Sequence, residues 1–129
     1  MTTLRERQET FARTLALFLN WMLNQGYHWT MGDCWRSTDE LLCCQCGMPV
    51  TYQELLRFNG RSKTLQSKHA DRLAIDLNLF IDGKMATPDQ YRPLGEKWEQ
   101  LGGRWGGRFS LDPSEYATKV GFDPPHFEM

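Results

Sequence analysis

Apolar residues first recur with a helical period. Leu4, Phe11, Leu15, Phe18 and Met22 are separated by seven, four, three and four positions, which puts them on one stripe with Arg, Glu and Gln opposite. This predicts an amphipathic helix over residues 4–25. Gly26 stops it, because glycine takes the left-handed conformation past a helix end at little cost. Tyr27 to Cys34 is aromatic and β-prone, and a strand is expected there. At Leu73–Ile81 the period changes to two. Leu73, Ile75, Leu77 and Leu79 share one face, and Ala74, Asp76, Asn78 and Phe80 share the other. The first face must be core. The second carries a lone carboxylate among small or polar neighbours, as a cleft floor would. Asp82-Gly83 is a turn signal that predicts a hairpin.

Four capping boxes, each a Ser, Thr or Asp with Glu or Gln three residues on, mark helix starts. They are Ser37 with Glu40, Thr51 with Glu54, Thr87 with Gln90, and Asp112 with Glu115. Pro88 and Pro113 stand at the first helical position, where a missing N–H does no harm. Short helices are therefore expected from about residues 38, 52, 88 and 113. The third should run to Gln100 and end at Gly102-Gly103. Tyr91, Leu94, Trp98 and Leu101 recur along it at helical spacing, so Trp98, like Trp21, is read as core. With no internal repeat, linker or low-complexity segment, residues 1–129 read as one α+β domain, with helices packed on one face of a small, mostly antiparallel sheet.

Composition narrows the function classes. The chain has 129 residues, 40% of them hydrophobic and 24% charged, which suits a globular domain that folds without disulfides. A net charge of −1 with no cluster of Lys and Arg argues against a nucleic-acid partner. No apolar run approaches the ~18 residues of a membrane span, so no membrane insertion is expected. The charged N-terminus does not look like a secretory signal, and synthesis in the cytoplasm is expected. Cys34, Cys43, Cys44 and Cys46 crowd one region at spacings that suit neither a disulfide framework nor a zinc ribbon. They read as reduced thiols.

Three segments carry candidate chemistry: Ser67-Lys68-His69, Ala74-Ile75-Asp76, and Asp123-Pro124-Pro125-His126-Phe127. They hold two of the three histidines. A catalytic zinc takes three protein ligands and leaves the fourth position to water, a count that two His and one Asp meet. If residues 69–76 were fully extended, the two Cα atoms would lie roughly 23 Å apart, too far to share a metal. The chain must therefore bend at Ala70-Asp71-Arg72. Asp123 lies three residues before His126, across two prolines that stiffen their relation. A carboxylate there can take a proton from water that the metal has acidified.

The pattern S-x-H-x(4)-A-x-D, followed by D-x-x-H-F, resembles the zinc D-alanyl-D-alanine carboxypeptidase and L-alanyl-D-glutamate endopeptidase family, and most of all its bacteriophage endolysin members. The glycine-rich Trp105-Gly106-Gly107-Arg108-Phe109 and the pair Arg36-Ser37 are similar to further family segments, so the likeness runs from about residue 26 to the end. It implies a DD-peptidase or hedgehog-like zinc domain holding one Zn2+ through His69, Asp76 and His126. It makes Asp123 the general base and Arg36 the oxyanion-stabilising arginine. Ser67 would orient His69, and Trp105, Gly106 and Gly107 would wall the substrate cleft. Many members carry glycine where this chain has Arg72, and carboxypeptidase-like members often use Glu where it has Asp123. His28 belongs to no motif and is expected to be a half-buried strand residue.

The implied reaction is hydrolysis of a peptidoglycan stem peptide by a monomer. Three readings stand: an L-alanyl-D-glutamate endopeptidase acting in host lysis, a D,D-carboxypeptidase or dipeptidase on the same scaffold, and a non-catalytic zinc-binding structural or virion protein. The first expects an enzyme made in the host cytoplasm that reaches the cell wall after release.

Overall fold

A computed structural model describes residues 1–35, 40–42, 49–51, 57 and 67–129. Helix α1 (Leu4–Asn24) starts on a reciprocal cap. The Thr3 hydroxyl accepts from the Glu6 N–H at 3.2 Å, and the Glu6 carboxylate accepts from the Thr3 N–H at 2.7 Å. Gly26, at φ +80°, follows its end. Phe11, Phe18 and Met22 of the apolar stripe are buried and Leu15 packs against the core, whereas Leu4 in the first turn is exposed.

Strand β1 (His28–Met31) lies within the expected segment, but His28 is exposed rather than half-buried. The side chain that turns inward on this short strand is Trp29. Residues Glu40–Leu42 form β2, paired antiparallel with β3 (Pro49–Thr51), so the helix expected from residue 38 is not formed there. A three-residue cap spacing signals a helix only weakly when the backbone can bond to a second segment instead. The other half of that box, Ser37, and the helix expected from residue 52 lie outside the described residues.

Strand β4 (Ala74–Ile81) is the centre of the fold. Asp82 (φ +50°) and Gly83 (φ +75°) turn it into β5 (Lys84–Met85), with Ile81 opposite Lys84, the tight hairpin that Asp-Gly favours. Pro88–Tyr91 then forms a 3-10 turn, in which the Gln90 side chain accepts from the Thr87 N–H at 2.8 Å, and α2 (Arg92–Gln100) follows. The helix expected over 88–100 is thus in two pieces. Pro93 has no N–H to bond to the Asp89 carbonyl, and Arg92 bonds there instead. Gly102 (φ +96°) ends α2, with Gly103 N–H on Trp98 O and Gly102 N–H on Glu99 O. Strands β6 (Arg104–Trp105) and β7 (His126–Glu128) complete one antiparallel sheet in the order β1-β4-β7-β6, with β5 also on β4. A single 3-10 turn at Pro113–Glu115 is all that forms at the last capping box.

Leu73, Ile75, Leu77 and Leu79 are buried together, as the alternation predicts. Helices α1 and α2 cover them through an aromatic cluster. Phe18 lies 5.2 Å from both Trp98 and Phe127 between ring centroids, and Phe11 meets Trp98 edge-on at 5.9 Å. Tyr91 mends one edge of β4. There Leu77 N–H bonds to Pro125 O, and two residues on Leu79 O accepts from Ala86 N–H. Between them the buried Tyr91 hydroxyl donates to Leu77 O at 3.0 Å and accepts from Leu79 N–H at 2.8 Å. The strand can therefore change neighbours without leaving those two groups unpaired. Among the described residues, no helix is long and apolar enough to cross a membrane.

Candidate metal centre

The antiparallel register places Asp76 of β4 directly opposite His126 of β7, which brings their side chains to one face of the sheet. Ile75 and Leu77 point to the other face, so the alternation that builds the core also delivers the carboxylate. His69 arrives from the turn before β4. Arg72 N–H bonds to His69 O at 3.2 Å and Leu73 N–H to Lys68 O at 2.9 Å, the paired bonds of a Schellman turn. Such a turn needs a left-handed residue, and Arg72 takes it at φ +58°. The bend expected at residues 70–72 is therefore present without glycine, and the Arg72 guanidinium lies 5.1 Å from the Trp35 ring centre.

His69 Nε2, Asp76 Oδ1 and His126 Nδ1 form a triangle with sides of 3.1, 3.2 and 3.2 Å. His69 is 1% exposed and His126 is 6% exposed, and one ligand atom from each of the three residues can face a common point. A tetrahedral zinc with bonds of about 2.0–2.1 Å separates its ligands by about 3.3 Å, so the donor set and its spacing fit that ion. Asp123 Oδ2 stands 3.9 Å from His126 Nδ1, and its side chain is 40% exposed, within reach of both the triangle and solvent.

The electrostatics follow from this crowding. Burial works to raise the Asp76 carboxyl, but hydrogen bonds to His126 and His69 outweigh it and bring it down to about 2. Burial likewise works to lower His126. Hydrogen bonds to Asp76 and Glu128, with the negative charge of Asp123, overcome that and raise it to about 9. The metal-free centre thus keeps a proton on His126 that a bound cation would displace.

Ser67 meets His69 through the backbone, its Oγ accepting from the His69 N–H at 3.2 Å. Trp105, Gly106 and Gly107 are all buried, and Trp105 also lines a cavity together with Arg104, Arg108 and Phe109. The Trp105 indole N–H donates to Pro124 O at 2.7 Å. A Cβ on Gly106 would overlap the Asp123 carbonyl oxygen and come within 2.9 Å of His126 Cβ. At Gly106 the protein's own backbone makes a close approach that requires glycine. Arg36, Cys43, Cys44 and Cys46 lie outside the described residues, and Cys34 is an exposed free thiol.

Sequence reasoning missed Glu128. This buried carboxylate accepts from His126 Nε2 at 2.8 Å. The signal was available, since residues two apart in a strand share a face.

Residues 60–129, more than half of the chain, match the family model described as D-alanyl-D-alanine carboxypeptidase, a peptidase M15 model. The fold is similar to the crystal structure of the Serratia marcescens L-Ala D-Glu endopeptidase ChiX, with a TM-score of 0.58 and 21% identity over 92% of this chain and 77% of that one. No curated protein matches in sequence.

Proposed function

The chain belongs to the M15 peptidase family, and on that premise we propose that it is a zinc-dependent peptidase of peptidoglycan stem peptides, an L-alanyl-D-glutamate endopeptidase of the phage endolysin type. The observation that carries the reading is the convergence of His69, Asp76 and His126 on one point with Asp123 beside them. His69 Nε2, Asp76 Oδ1 and His126 Nδ1 would hold the ion. When bound, zinc polarises the scissile carbonyl and lowers the pKa of water to about 7.

The residues of the chain do the rest. Asp123 removes the proton of the attacking water and then delivers it to the leaving amine, so one carboxylate serves as base and acid in turn. Its partial exposure leaves room for water and substrate. Gly106 holds the Asp123 carbonyl close against the sheet, and Trp105 fixes Pro124, which sets the height of Asp123 over the ligands. Arg36 is assigned the developing oxyanion. The enzyme acts as a monomeric single domain on the cell wall after release from the cytoplasm.

The test is a digest of Gram-negative peptidoglycan by zinc-loaded protein, read by mass spectrometry beside Asp123→Ala. New D-Glu amino termini, absent with the variant, are expected. Free D-Ala as product would support the D,D-carboxypeptidase reading that the matched family's description favours. No product from folded, zinc-loaded protein would leave a non-catalytic zinc protein.

A further inference from the structure

We infer that Glu128 is a positioning residue that fixes the tautomer of His126, turning the lone pair of Nδ1 toward the metal position. The inference rests on the proposed metal role of His126, but not on the identity of the substrate. An ionised carboxylate has no proton to give. With Glu128 Oε2 at 2.8 Å, the hydrogen in that contact belongs to His126 Nε2. A bound cation displaces the second proton of His126, and the neutral imidazole then keeps its one N–H at Nε2 and leaves the lone pair on Nδ1. It faces His69 Nε2 at 3.1 Å and Asp76 Oδ1 at 3.2 Å. The opposite tautomer would point an N–H at the same position and block coordination.

Glu128 is itself held on several sides. Its backbone carbonyl accepts from the Trp98 indole at 2.9 Å, and its Oε1 lies 3.2 Å from Arg104 Nη1, its register partner on β6. The Arg104 guanidinium also sits 5.2 Å from the Phe109 ring centre, and that ring lies 5.5 Å from the His126 ring. Arg104 thus secures both the carboxylate at one end of the imidazole and the aromatic beside it. His69 has no equivalent, since its buried Nδ1 lacks a hydrogen-bond partner among the described residues. Among the described residues, His126 is the histidine ligand whose orientation a side chain specifies.

The test compares Glu128→Gln, which keeps an acceptor oxygen, with Glu128→Met, which has similar length and no acceptor. Zinc affinity is read by competition with a chromophoric chelator. A carboxylate partner of a ligating histidine contributes about 10–100-fold, so Glu128→Met is expected to bind that much more weakly and Glu128→Gln to recover most of the loss. Ligand-field absorption of the cobalt-substituted proteins should shift in Glu128→Met and persist in Glu128→Gln. If Glu128→Met folds and keeps the parent's affinity, the inference is wrong. ¹⁵N shifts of the His126 ring in the zinc-loaded parent test the same point without a variant, with a protonated Nε2 expected and a protonated Nδ1 overturning it. A parent that binds no zinc would refute the metal reading itself, and a zinc-binding parent that cuts no peptidoglycan would refute only the substrate.

Discussion

Removing the metal should leave a protein whose stability falls at alkaline pH because of one histidine. In the metal-free centre His126 is raised from 6.5 to about 9. A group with a raised folded pKa contributes its full stability below the unfolded value and loses it as pH rises through the folded value. The contribution is therefore complete below about pH 6.5 and gone above about pH 9. At 1.36 kcal/mol per pH unit, the gap between 6.5 and about 9 corresponds to about 3 kcal/mol. Asp76 shows the other side of the same contact. Lowered from 3.8 to about 2, it contributes stability above pH 3.8 that disappears as pH falls through 2, worth about 2 kcal/mol. The two figures describe overlapping interactions and do not add. That of His126 is larger because Glu128 and Asp123 also face it. The assay is urea unfolding in excess chelator at pH 6, 7.5, 9 and 10, on the parent and on His126→Asn. With a urea m-value of about 1.5 kcal/mol/M, the parent's midpoint should drop by about 2 M beyond any drop in the variant. Parallel pH profiles for the two proteins would refute the reasoning, since the histidine would then carry no linked proton.

Two further predictions concern the scaffold. Gly106→Ala should lower zinc affinity and peptidase activity at least tenfold, because its Cβ displaces Asp123 and crowds His126. Gly26→Ala meets no atom within 4 Å and should cost only the ~1 kcal/mol of a left-handed alanine, with metal binding unchanged. Equal zinc affinity in the two variants would show that Gly106 does not set the site. Tyr91→Phe strands Leu77 O and Leu79 N–H inside the sheet and should cost about 2–4 kcal/mol by urea unfolding. A loss below 0.5 kcal/mol would mean that the strand finds other partners.

Legibility in the sequence followed how local each signal was. The core face of β4 could be read because burial forces alternation, and the hairpin because few residues other than Asp-Gly suit that turn. The positions of His69, Asp76 and His126 could be singled out because metal chemistry restricts residue types. Asp76 opposite His126 needed the register between strands 50 positions apart, which no local pattern encodes. For the same reason Glu128 went unread. It looks like an ordinary terminal acid until the strand's two-residue period is laid over His126. Pro93 competes with the capping signal at Thr87, so a 3-10 turn and a helix form where the cap alone predicts one helix. At Glu40 a spacing that fits a helix cap belongs to a strand instead, because pairing with Pro49–Thr51 supplies the backbone bonds.

The place of β7 between β4 and β6 has a consequence for the order of folding. The α1 helix and the β4–β5 hairpin are local and can form early. The contact of His69 with His126 closes a span of 57 residues and must wait for the last strand to slot between two others. Until then one edge of β4 is open, and the three donor atoms are spread over separate parts of the chain. A partly folded molecule therefore has no route to three-ligand capture, and occupancy of the centre reports that the sheet has closed.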